Sequence, residues 1–159
     1  MLVVDDNAQM RTIIGAVLGG AGVRRLHYAP DVMRGLETIR AIDIDVAFVD
    51  FEMPGLTGLD FISAIRNRES PHRFLPVVML TGHSDLLRIN GARDRGVTEF
   101  LAKPVSAVTI LKRLESVIYR PRPFVDAASY FGPDRRRRQT PGYTGPLRRS
   151  SDHHDVFEL

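Results

Sequence analysis

Five residues of this sequence could together handle phosphate: Asp5, Asp6, Asp50, Thr81 and Lys103. Each follows a short apolar segment. Leu2–Val4 runs into Asp5-Asp6-Asn7, Val46–Val49 into Asp50, Pro76–Leu80 into Thr81-Gly82, and Glu99–Ala102 into Lys103-Pro104. Three carboxylates placed together repel one another unless a cation sits among them. Oxygen-only donors suit a hard ion that keeps part of its water, which points to Mg²⁺ rather than zinc. Lys103 adds a positive charge and Thr81 a hydroxyl donor, so the set is equipped to bind a phosphoryl group. A carboxylate can attack phosphorus to form an aspartyl phosphate, with Mg²⁺ and Lys103 offsetting charge on the phosphoryl oxygens.

Each residue also has an ordinary reading. Asp5 and Asp6 stand where a helix N-cap is common, and Asp often ends a strand at a turn, as at Asp50. Thr81 before glycine could be turn chemistry, and Lys103 before proline a solvated lysine. What favours the chemical reading is that all five fall at strand ends in order along the chain.

The positioning elements are legible from periodicity. Ala8 to about Gly19 carries Met10, Ile13, Ile14, Val17 and Leu18 at helical spacing, and Gly19-Gly20-Ala21-Gly22 ends that helix. Arg24–Tyr28 is a weak strand candidate. Asp31 can cap a helix to about Ala41, with Val32, Leu36 and Ile39 on one face. After the Pro54-Gly55 turn, Thr57–Arg68 reads as amphipathic helix with Leu59, Ile62 and Ile65 inward. Asp85–Arg95 reads as a fourth helix. Ser106 starts a fifth, to about Tyr119, with Val108, Leu111, Leu114 and Ile118 inward. Short apolar strands alternating with amphipathic helices imply a parallel sheet covered on both faces. Five of each predict an α/β, flavodoxin-like doubly wound (βα)5 fold with strand order 2-1-3-4-5, whose site lies at the carboxyl ends of the strands.

Composition bounds the rest. The 159 residues, 43% hydrophobic and 26% charged, suffice for one buried domain and an appendage. With no cysteine, disulfides, thiolate chemistry and Cys-ligated metals are excluded. No apolar run approaches a membrane span and no export signal is evident, so a cytoplasmic location is expected. Residues 1–119 hold 14 Lys/Arg and 14 Asp/Glu, whereas 120–159 hold 8 Arg and 5 Asp/Glu, so the whole excess of +3 lies in the tail. The boundary is therefore drawn at Tyr119.

The motifs Val3-Val4-Asp5-Asp6-Asn7, Val49-Asp50-Phe51-Glu52-Met53-Pro54-Gly55-Leu56-Thr57-Gly58, Leu80-Thr81-Gly82 and Phe100-Leu101-Ala102-Lys103-Pro104 make residues 1–119 resemble the receiver domain of bacterial two-component response regulators. The resemblance implies that Asp50 accepts a phosphoryl group from a sensor histidine kinase or histidine phosphotransfer protein. It implies Mg²⁺ held by Asp5, Asp6, Asp50 and the backbone carbonyl of Glu52. It implies a switch in which the Thr81 hydroxyl moves to the phosphoryl group and Phe100 turns inward, and a cis peptide before Pro104. A protein of this kind catalyses only its own phosphorylation and dephosphorylation, and its usual contact face would be about 84–119, which also offers a route to a homodimer. Glu52 and His83 occupy variable positions that tune phosphoryl lifetime. The first strand starts unusually close to Met1, and Phe100 lacks the hydroxyl of the tyrosine often found there.

Residues 120–159 leave three readings open. A Pro- and Arg-rich segment can be disordered. Phe124, Val125, Tyr130, Phe131 and Tyr143 could instead anchor a docking arm on this domain or on a dimer partner. The Arg135–Arg138 run offers an alternative function, a DNA- or RNA-binding regulator with the tail as output.

Overall fold

A computed structural model describes residues 1–82, 95–127, 130–134 and 155–157. Five parallel strands, β1 (Leu2–Val4), β2 (His27–Ala29), β3 (Ala47–Asp50), β4 (Val77–Thr81) and β5 (Glu99–Ala102), form one sheet in the order 2-1-3-4-5. Helices α1 (Ala8–Gly20), α2 (Val32–Ala41), α3 (Gly58–Ile65) and α4 (Ala107–Tyr119) cover it. This is the expected doubly wound arrangement. The helix expected over Asp85–Arg95 lies outside the described residues except at Arg95, as do His83, Tyr143 and the Arg135–Arg138 run.

Side chains alternate along each strand, which sorts the interior into two layers. Leu2, Val4, Ala47, Val49, Val77 and Met79 pack under α2 and α3 with Ile39, Phe61, Ile62 and Ile65. Val3, Phe48, Val78, Leu80 and Leu101 pack under α1 and α4 with Ile14, Leu18, Ile110 and Leu114. Both faces are buried, as the near-continuous apolar strands require.

The inward face of α4 differs from the expectation. Ile110, Leu114 and Val117 are buried, whereas Val108 is 74% and Ile118 48% exposed. Both stripes have helical spacing and share Leu114. Periodicity does not fix rotation about the helix axis; contact with Leu101 and with α1 does. Ile13 on α1 is likewise exposed, and Ile14 and Leu18 carry that helix's contact.

Packing continues past Tyr119. Strands β6 (Phe124–Ala127) and β7 (Tyr130–Pro133) pair antiparallel, and β8 (Asp155–Phe157) pairs with the other edge of β6. Phe124 is fully buried; its ring lies 5.4 Å from Phe74 in an edge-to-face contact, and Phe131 lies 5.5 Å from Phe74. The Arg66 guanidinium, following α3, sits 5.0 Å over the Phe124 ring. It donates to the carbonyls of Gly96 (2.9 Å), Arg73 (2.7 Å) and Leu75 (2.8 Å). Arg68 pairs with Asp126 at 2.6 Å, and Arg122 donates to the Thr98 carbonyl at 3.0 Å. Residues 120–127 and 130–134 thus bridge the α3–β4 connection and the start of β5, at the end of the sheet opposite the carboxyl ends. The composition boundary at Tyr119 is not a packing boundary.

Truncating Phe124 to alanine removes a ring from this junction. The expected result is a loss of about 3–5 kcal/mol in denaturant unfolding of the full chain, the range for a buried phenylalanine.

Candidate functional site

The β1–α1 junction separates capping from chemistry. Asn7 caps α1, its side-chain oxygen accepting from the N–H groups of Gln9 (2.9 Å) and Met10 (3.2 Å). The acidic pair is thereby released from the ordinary capping reading. Asp5 is fully buried and Asp6 exposed. The Asn7 N–H donates to the Asp5 Oδ1 at 2.8 Å, and Arg11 Nη1 donates to the carbonyls of Asp5 (2.6 Å) and Asp6 (3.2 Å).

Asp50 is the last residue of β3 and nearly buried. The start of α3 packs tightly behind it: a Cβ on Gly58 would stand 2.3 Å from the Asp50 carbonyl oxygen and 2.8 Å from the Met79 sulfur. Thr57 fixes this helix start by donating its N–H (2.7 Å) and its hydroxyl (2.8 Å) to the Asp60 carboxylate, which holds that carboxyl below its ordinary pKa. Thr81, buried, ends β4, and its carbonyl accepts from the Lys103 N–H at 2.7 Å. The Lys103–Pro104 peptide is cis.

Four of the five residues converge through their charges. Asp5, Asp6 and Asp50 each offer a carboxylate oxygen, all within 4.8 Å of one another. Lys103 Nζ lies 2.8 Å from Asp50 Oδ2 and 3.4 Å from Asp5 Oδ2. Thr81 stands at the neighbouring strand end. Glu52 is exposed in the turn after β3. Phe100, half-buried on β5, packs against the layer under α2 and α3.

Burial pushes the Asp50 carboxyl above its ordinary pKa, with the charge of Asp5 adding to this; the hydrogen bond and charge of Lys103 and the Phe51 N–H oppose it without cancelling it. Burial pulls the Lys103 ammonium down, but its hydrogen bond to Asp50 and the charges of Asp50 and Asp5 outweigh this and raise it. Lys103 is therefore charged at neutral pH. Two contributors carry no signal in the sequence motifs. Arg11 looks like any polar helix residue in sequence, and the Thr57-Gly58 pair does not mark the glycine's close approach to Asp50.

The chain matches the model of the response regulator receiver domain over residues 1–115. The chain belongs to the response regulator receiver family. It is 32% identical over 120 residues to the chemotaxis protein CheY-3 of Vibrio cholerae, covering 76% of this chain and 92% of that protein. It is 33% identical over 114 residues to the DNA-binding transcriptional regulator NtrC of Escherichia coli, covering 70% of this chain but only 24% of that protein. Among solved structures, CheY4 of Vibrio cholerae superposes with a TM-score of 0.68 at 32% identity, covering 74% of this chain and 96% of that one. The receiver domain of NtrX from Brucella abortus gives 0.68 at 29% identity, covering 75% and 98%. Residues 116–159 lie beyond the family match of this receiver. Among its described residues, no helix is long and apolar enough to cross a membrane.

Two outcomes are expected in this receiver. A carboxyl whose folded pKa stands above its unfolded value costs stability once ionised; the cost is absent below the ordinary carboxylate range and complete above the folded pKa. Asp50→Asn should therefore raise the thermal midpoint at pH 8 in a chelator, and the gain should shrink as pH falls toward 4, about the ordinary carboxyl pKa. Gly58→Ala should lower stability by about 1–3 kcal/mol in urea titration, because the new methyl meets backbone rather than a yielding side chain.

Proposed function

We propose that this receiver accepts a phosphoryl group on Asp50 from a phosphohistidine of a sensor histidine kinase or histidine phosphotransfer protein. The observation that carries the reading is the pairing of Asp50 with Lys103 at 2.8 Å, beside two further carboxylates within 4.8 Å. An Asp50 carboxylate oxygen attacks phosphorus and forms the acyl phosphate. The bond from phosphorus to the histidine nitrogen breaks, and the imidazole leaves with the electron pair.

The donor set fits Mg²⁺. Three carboxylates converge with one ammonium, leaving negative charge at a cluster of hard oxygen donors. Asp5, Asp6, Asp50 and the Glu52 carbonyl would hold the ion, which when bound neutralises charge on the phosphoryl oxygens. Lys103, already against Asp50, is placed to exchange that contact for a phosphoryl oxygen. The Thr81 hydroxyl, at the next strand end, donates to another. Movement of Thr81 vacates space at β4, into which Phe100 turns from its half-buried position on β5. The face that includes α4 reads out this change to a partner or a second copy; the exposed Val108, Leu111 and Ile118 suit such a contact.

Incubation of the full chain with Mg²⁺ and acetyl phosphate, followed by intact-mass measurement, tests the assignment. One phosphoryl adduct is expected, lost in Asp50→Ala and when Mg²⁺ is chelated. An adduct that persists unchanged in Asp50→Ala would sink it.

A further inference from the structure

We propose that Arg11 is a positioning residue for the cation site, setting the aim of the acidic pair through its backbone. The proposal rests on the Mg²⁺-dependent phosphoacceptor reading above.

Arg11 stands on the first turns of α1 and is half-buried. Its guanidinium turns back over the helix start, the direction helical side chains favour. There a single nitrogen, Nη1, serves two successive carbonyls, Asp5 at 2.6 Å and Asp6 at 3.2 Å. That nitrogen has two hydrogens, one for each acceptor. Holding both carbonyls fixes the two peptide planes that flank the Asp6 Cα, and hence the direction in which its side chain leaves the backbone.

The two acids depend on this unequally. Asp5 is buried and held through its own carboxylate by the Asn7 N–H and by Lys103. The Asp6 carboxylate is exposed and has no hydrogen-bond or ion-pair partner among the described residues. Its aim comes from the backbone, and Arg11 holds that backbone. A ligand pre-aimed in this way loses less freedom when the cation binds.

Arg11 also acts in the opposite sense, because its positive charge repels a divalent cation. The two effects predict opposite signs. If charge dominated, Arg11→Ala would tighten Mg²⁺ binding and Arg11→Lys would leave it unchanged. If positioning dominates, both substitutions weaken binding, Lys the less, since an ammonium on a flexible stem reproduces the charge but not the rigid fork.

Calorimetric titration of Mg²⁺ into the full chain at fixed pH and ionic strength separates them. Arg11→Ala is expected to weaken binding about 10-fold or more, as loss of groups that orient metal ligands typically does. Arg11→Lys should fall between it and the wild type. In an Asp6→Asn background, Arg11→Ala should have a much smaller effect, because the group it aims has lost its charge; a general loosening of the fold would give additive losses. If Arg11→Ala does not fold, Arg11→Lys decides alone by the same criterion. Binding at wild-type strength or tighter in the folded variants overturns the role of Arg11 while leaving the phosphoacceptor reading intact. A wild-type chain with no saturable Mg²⁺ binding overturns that reading, and this proposal with it.

Discussion

The central constraint on this protein is the gathering of three carboxylates at one edge of an apolar sheet. Asp5 and Asp50 are withdrawn from water, and burial favours the neutral form of Asp50. Lys103 makes the arrangement tolerable by touching both, and it does so from the end of β5, nearly one hundred residues along the chain from Asp5. Every strand order that failed to bring β1, β3 and β5 to a common edge would leave buried charge without its partner. The same repulsion leaves the cluster with an excess of negative charge beyond what Lys103 offsets, so its electrostatic cost and its fit to the proposed Mg²⁺ are two aspects of a single arrangement.

Around that cluster the chain is held by backbone rather than by side-chain ion pairs. Asn7 takes the helix cap, Arg11 takes two carbonyls, and Gly58 lets α3 approach the backbone of Asp50. Each contact is short and permits little drift. Phosphoryl transfer gains mainly from positioning and electrostatics; in the proposed reaction these contacts would supply the former, and Lys103 and the acids the latter.

A second buried charge organises the opposite end. Arg66 is enclosed, yet it faces three carbonyls and an aromatic ring rather than a carboxylate. Burial pulls its pKa down to about 9, which still leaves it charged at neutral pH. The ring that covers it, Phe124, comes from beyond Tyr119, where composition turns basic and proline-rich. Charge patterning marked the change in solvent-facing character. It did not register that Phe124 and Phe131 find a third ring, Phe74, on the receiver itself.

Sequence alone determined the alternation of strands and helices, the strand order and the placing of Asp5, Asp6, Asp50, Thr81 and Lys103 at strand ends. Those features are carried by local periodicity and by residues placed directly after apolar runs. Tertiary structure decided which stripe of the last helix is buried, Ile110, Leu114 and Val117 in place of Val108 and Ile118, because rotation about a helix axis is set by what lies beneath it. It also decided that Asn7 rather than an aspartate caps α1, that Arg11 serves two carbonyls, and that residues 120–127 and 130–134 pack against the domain. These depend on contacts between groups whose spacing in sequence carries no period, and such contacts exist only once the chain has folded.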